Sequence, residues 1–156
     1  MARSHPPTLI TLTTRTLREE CGVVRGDRIL AAVSGGPDSM ALLDVLARLA
    51  PKLGFEVAAH GVDHGLRPEA RAELDLAEQH ARRLAVPFGR SLVDVEAGGN
   101  LQARARTARY GALERAQRDS GATLLATAHH ADDRAETVLL RLMRGAGPRG
   151  DRKSVV

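Results

Sequence analysis

The sequence predicts an α/β fold, an open parallel sheet with helices on both faces. Apolar runs of strand length alternate with helix-patterned segments across short connections, as right-handed crossover units require. The segments directly after those runs are polar or glycine-rich, and that edge is where such sheets bind ligands. A chain of 156 residues, 43% hydrophobic and 27% charged, also has the size and balance of one domain with a real core.

The elements follow in order. Residues Leu9 to Cys21 are expected to form a leading helix, with Gly26-Asp27 turning into a first strand, Ile29 to Val33. A helix after the next loop runs to about Leu49, where Pro51 and Gly54 break the pattern. The second strand is Phe55 to Val62, and the polar loop Asp63 to Pro68 ends on a proline suited to a helix start. Leu74, Ala77, Ala81 and Leu84 then share one helix face, and Val86-Pro87 leads to a third strand near Gly89 to Val95. Gly98-Gly99 is a flexible connection, and Asn100 caps a helix whose Leu101, Ala105, Ala108, Ala112 and Ala116 form a small-residue stripe ended by Gly121. Thr123 to Thr127 is the fourth strand, and Ala131 to about Met143 reads as a final amphipathic helix.

Composition narrows the function classes. With 2% aromatic residues the core must come from Leu, Val and Ala. No apolar run reaches the roughly 20 residues a bilayer span needs, and the start lacks a signal peptide, so a cytoplasmic location without a membrane partner is expected. The single Cys21 excludes an internal disulfide and a multi-cysteine metal or iron-sulfur site. A net charge of +4 and a pI near 10.2 suggest an anionic partner only weakly, because the arginines are spread over helices where solvated faces are the rule.

The chemistry is concentrated in motifs. Ser34-Gly35-Gly36-Pro37-Asp38-Ser39 lies between the first strand and its helix. Two glycines let the backbone turn sharply and approach an anion, while amides, serine hydroxyls and the positive helix end supply donors. Pyrophosphate fits such a loop. The Gly-Lys-Ser/Thr of the common nucleotide loop and the third glycine of the dinucleotide fingerprint are both missing. Read alone, the six residues also suit an ordinary turn before a helix. Two further clusters fall on the same rim: Asp63, His64 and Arg67 after strand two, and His129, His130, Asp132 and Asp133 after strand four. Asp38 and Asp133 can hold a magnesium ion bridging phosphates, since that cation prefers carboxylate, water and phosphate oxygens. Zinc at His60/His64 or His129/His130 is not expected, because neither pair has cysteine partners or a glutamate at the required spacing.

Taken alone, the Ser34 to Ser39 loop resembles the PP-loop of ATP pyrophosphatases. Read with Val62-Asp63-His64-Gly65-Leu66-Arg67, with Asn100 to Arg106 and Ala108-Arg109-Tyr110, and with Ala126 to Thr137 and Leu140 to Gly147, the chain resembles the amino-terminal catalytic domain of the tRNA(Ile)-lysidine synthetases. The resemblance covers about Arg28 to Gly150 and implies a Rossmann-like sheet of the PP-loop, adenine nucleotide alpha hydrolase-like type. It implies three segments: 1–27 as leading helix and turn, 28–150 as a partial PP-loop domain, and 151–156 as an atypical tail.

That family uses ATP to adenylate the wobble cytidine of an isoleucine tRNA with a CAU anticodon, and free lysine then displaces AMP. Carried over, Ser34, Gly35, Gly36, Pro37, Asp38 and Ser39 bind the ATP phosphates, and Asp38 and Asp133 hold magnesium. Asp38, Arg109 and Asp133 are the catalytic candidates. Arg109 suits the charge developing on the alpha phosphate and cytidine oxygen, and Asp133 suits orienting or deprotonating the lysine amine. His64, Arg67, His129 and Glu136 rank second. Two alternatives stand beside this expectation: a tRNA-thiolating PP-loop enzyme, against which the lone Cys21 argues, and an ATP-binding fragment without activity. After Gly147 the sequence leaves the family pattern, so the last strand of the sheet is expected to be missing and the far side of strand four to be an exposed edge.

Overall fold

Strand β1 (Arg28–Ala32) is the axis of the fold. In the computed structural model, which describes residues 8–65, 67–95, 100–130 and 138–144, it pairs in parallel with β2 (Glu56–Asp63) on one side and with β4 (Leu124–His130) on the other. Beyond β2 lies β3 (Phe88–Leu92), also parallel, and beyond β4 lies β5 (Val138–Arg144), antiparallel. The five-stranded order is β3-β2-β1-β4-β5. The chain steps outward from β1 to β3, then crosses back over both strands to β4. That reversal places a topological switch point between β1 and β4.

The same reversal puts helices on both faces. The first two crossovers, α2 (Pro37–Leu53) and α3 (Glu69–Arg83), lie on one face, and the returning α4 (Leu101–Asp119) lies on the other. Ile29, Ala31 and Val33 of β1 and the segment after it meet Leu42, Leu43, Leu46 and Leu49 of α2 and Ala77 and Ala81 of α3. Leu30 and Ala32 point the other way, against Leu113 and Ala116 of α4 and Leu125 of β4. Covered on both faces, β1 reads as an unbroken apolar run. Each buried leucine contributes roughly 1.5–3 kcal/mol relative to exposure, so an aliphatic core suffices without aromatic mass. Gly61 on β2 shows how closely α3 sits on the sheet: a Cβ there would lie 2.6 Å from Leu74 Cδ2.

Helix boundaries differ from expectation in instructive ways. The leading helix is α1 (Leu9–Arg15) followed by one π-helical turn, Thr16–Glu20, in which the Cys21 amide donates to the Thr16 carbonyl at 3.0 Å. Pro51 does not stop α2, which runs to Leu53. So near the end a proline removes one hydrogen bond, and Gly54, at φ +79°, closes the helix by donating to the Ala50 carbonyl at 2.8 Å. Only the second half of the stripe expected on α4 is buried, at Ala112 and Ala116, joined by Leu113 and Gln117.

The final helix expected over Ala131 to Met143 is corrected. Residues 131–137 lie outside those described, and 138–144 form β5, in register with β4 from Leu124↔Arg144 to His130↔Val138. A short apolar run fits either period, and here the unpaired N–H and C=O groups along β4 decide it. The exposed edge expected beside β4 is therefore occupied.

On the α4 side, His60 of β2 donates to or accepts from Ser91 Oγ through Nε2 at 2.8 Å. Gly89, its register partner, leaves room for the ring, since a Cβ there would sit 2.7 Å from His60 Nδ1. Burial pushes the His60 imidazole below its ordinary value, and the Asp119 charge opposes the shift. A histidine with a depressed folded-state value stabilises fully above the unfolded value near pH 6.5, and that contribution is lost as the pH falls through the lowered one. The midpoint of urea unfolding should therefore drop on acidification below about pH 6.5, and His60→Gln should flatten that dependence. Equal slopes for the two chains would contradict the assignment.

Candidate functional site

The carboxyl ends of β1 and β4 flank the switch point, and the Ser34 to Ser39 loop leaves β1 there. Its geometry follows from its sequence. Gly35 adopts φ +84°, a region open to glycine. Gly36 is extended at φ −71°, ψ 156°, and acts as N-cap, with Pro37 as the first helical residue of α2, where its missing N–H removes only a group the helix leaves unpaired. Ser39 is buried and ties the loop internally: its hydroxyl donates to the Gly36 carbonyl at 2.9 Å and accepts from the Ser34 amide at 3.1 Å. The Ser34 and Ser39 hydroxyls lie 3.3 Å apart. Ser39 thus shapes the loop, and with its proton on Gly36 it accepts from the Ser34 hydroxyl, which is exposed and can turn to a ligand; the donors already open are the amides of Gly35 and Gly36, neither of which bonds another described residue. With the positive end of a 17-residue helix behind them, these donors suit pyrophosphate oxygens.

The loop is braced from behind by α3. A Cβ on Gly35 would lie 2.6 Å from the Glu73 carbonyl oxygen and 2.8 Å from Glu73 Cβ. Glu73 also holds Arg67 through an ion pair of 2.6 Å, which brings the loop after β2 to the same corner. No local sequence pattern marks Glu73, because its role is a contact between distant segments. Within the β2 loop, Asp63 Oδ1 accepts from the Gly65 amide at 2.8 Å, and His64 is half-buried.

Asp38 stands in the first turn of α2, half-buried. A carboxylate beside an anion cradle repels the anion unless a cation lies between them, so its chemistry fits magnesium shared with phosphates. Among the described residues no group of three or more His, Cys, Asp or Glu is placed to hold a metal. One carboxylate plus phosphate and water oxygens is a usual magnesium set. The magnesium candidate Asp133, like Asp132 and Glu136, lies outside the described residues. His129 lies near the carboxyl end of β4, in register with Leu139.

Arg109 lies near the middle of α4, one turn before residues that face the core. Crossover helices begin at the carboxyl edge of the sheet, and Ala112 and Leu113, three and four residues further on, face the core. Arg109 is half-buried and makes no ion pair with a described residue. Loop 34–39 and the Arg67 corner thus meet through Glu73 at one edge of the sheet, and Arg109 lies on the crossover helix that starts from that edge. Among the described residues no helix is long and apolar enough to cross a membrane.

Curated relatives with the most similar sequences include the tRNA(Ile)-lysidine synthase of Novosphingobium aromaticivorans, 46% identical over 123 residues, covering 79% of this chain and 37% of the relative. That of Methylobacterium nodulans is 48% identical, covering 78% and 36%, and that of Thermobifida fusca 40% identical, covering 92% and 45%. The chain therefore spans less than half the length of these relatives. Among solved structures, the fold is shared with the U34-tRNA thiolase NcsA of Methanococcus maripaludis, at TM-score 0.63 and 17% identity over 76% of this chain and 44% of that one. It is also shared with the glutamine-dependent NAD+ synthetase of Acinetobacter baumannii, at TM-score 0.54 and 19% identity over 80% and 27%. The PP-loop domain model matches residues 10–152, a span that holds the strand, the glycine turn and the helix just described, and the chain belongs to that family.

Proposed function

We propose that this chain carries the ATP-dependent chemistry of a tRNA(Ile)-lysidine synthase. The cytidine carbonyl oxygen at the wobble position of a CAU-anticodon isoleucine tRNA attacks the alpha phosphate of ATP and pyrophosphate leaves. The amine of free lysine then attacks the adenylated carbon, AMP departs with the bonding electrons, and the amine loses its proton. The observation that carries this reading is the loop itself: a left-handed Gly35 and two glycine amides without described partners, set at a helix start beside the switch point, in a chain whose relatives bear that name.

The residues divide the work. Gly35, Gly36 and the Ser34 hydroxyl hold the departing pyrophosphate, with Pro37 and Ser39 fixing the turn. Asp38, with Asp133, would hold magnesium, which would supply charge neutralisation among the phosphates. Arg109 stabilises charge gathering on the alpha phosphate and the cytidine oxygen. Asp133 receives the proton of the lysine amine. His64, Arg67, His129 and Glu136 line and orient the site.

Pyrophosphate release measured with ATP, lysine and isoleucine tRNA tests the proposal. Sustained release over repeated turnovers is expected only when lysine and the tRNA are both present, since adenylation without lysine stops after at most one pyrophosphate per tRNA. ATP binding with no pyrophosphate under any combination would replace this reading with that of a nucleotide-binding module.

A further inference from the structure

We propose that Arg106, held in place by Tyr110, is a docking contact for the RNA strand that enters the rim. This rests on the tRNA reading above and adds where that partner is gripped. Helix α4 has two unlike halves: Ala112, Leu113, Ala116 and Gln117 are buried, whereas no residue from Leu101 to Gly111 is. At about 1.5 Å per residue that half is about 16 Å of helix, half-buried at most, at the end where a crossover leaves the carboxyl edge of the sheet. Arg106 lies two turns before Leu113 on the same helix face, so it sits on the rim side of that half and not on its back.

Its guanidinium lies over the Tyr110 ring, 5.5 Å from the centroid, and the residue is exposed. A second stack of this kind, Arg90 over Phe88, provides the contrast. Arg90 donates to Asp75 at 2.7 Å and to Glu78 at 2.6 Å, so its donors are used within the fold. Arg106 has no carboxylate partner among the described residues. The ring holds the guanidinium by cation–π attraction while the residue stays exposed to solvent. An oriented, permanently charged plane fits phosphate oxygens and stacked bases together, the two surfaces that single-stranded RNA offers. Arg109, one turn further along the same side, continues the positive track toward the loop.

The test is binding of an unmodified, fluorescently labelled isoleucine tRNA transcript with a CAU anticodon to the full chain, without ATP, over a range of salt. Arg106→Ala should weaken binding at least about fivefold and lower the salt slope by about one. Arg106→Lys keeps the charge but not the plane, and should recover only part of the loss. Arg118→Ala, at the other end of α4, controls for net charge and should stay within about twofold of the parent. Equal weakening by Arg106→Ala and Arg118→Ala overturns the inference, as does full binding by Arg106→Ala or no binding by the parent. Pyrophosphate release is read separately, so failure here is distinguishable from failure of the proposed reaction.

Discussion

A Gly35→Ala chain is expected to lose nucleotide binding and to unfold at clearly lower denaturant than the parent. Two independent terms add. At φ +84° an alanine occupies left-handed backbone, which costs roughly 1–2 kcal/mol. Its Cβ would also fall 2.6 Å from the Glu73 carbonyl oxygen and 2.8 Å from the carbonyl carbon, so the main chain of α3 must move, not the tip of a flexible side chain. Forced repacking of that kind typically costs about 1–3 kcal/mol. A sum of roughly 2–5 kcal/mol is a large share of the 5–15 kcal/mol that holds a domain folded. Gly36→Ala is the matched control: its φ of −71° suits any residue, and a Cβ there meets only Ser34 Oγ at 3.6 Å. Urea unfolding should therefore separate the two substitutions by several kcal/mol. Calorimetric titration with ATP should show binding lost at Gly35 even where enough folded protein remains. Equal behaviour of the two variants would mean that α3 does not brace the loop.

The contrast between those two glycines marks what the sequence makes legible. Gly-Gly-Pro between an apolar run and a helical pattern identifies the turn, its strand and the helix start, because all three depend on neighbouring residues. Which glycine is sterically irreplaceable depends on Glu73, brought in by the packing of α3. Ser39 makes the same point: a serine at a helix start reads as a phosphate donor, yet the folded loop uses its hydroxyl on Gly36 and Ser34. The phase of α3 was legible from its alanines and leucine, since a helix face repeats locally. The state of residues 138–144 was not. Their leucines, methionine and arginines favour helix, and the choice of strand comes from β4, whose outer edge offers a full row of partners.

Arg109 should separate chemistry from folding in the opposite sense to Gly35. Arg109→Ala is expected to slow pyrophosphate release by about 10²–10³-fold, the usual cost of removing one donor aimed at developing charge. Stability should stay within about 0.5 kcal/mol of the parent, because the side chain is half-buried and joins no ion pair with a described residue. Arg109→Lys sharpens the argument. Lysine keeps the positive charge, so it should retain ATP affinity where that depends on the field of the rim. It lacks the planar fork that can meet the alpha phosphate and the cytidine oxygen at once, so most of the rate should remain lost. Single-turnover pyrophosphate release with saturating tRNA and lysine, set beside ATP affinity, reads the two terms apart. A lysine variant at full rate would reduce Arg109 to a general source of positive potential, whereas an alanine variant that unfolds would make it a packing residue of α4. The expected outcome, normal folding and binding with slow chemistry, requires a cation held at the switch point for a charge that appears only as the phosphate is transferred.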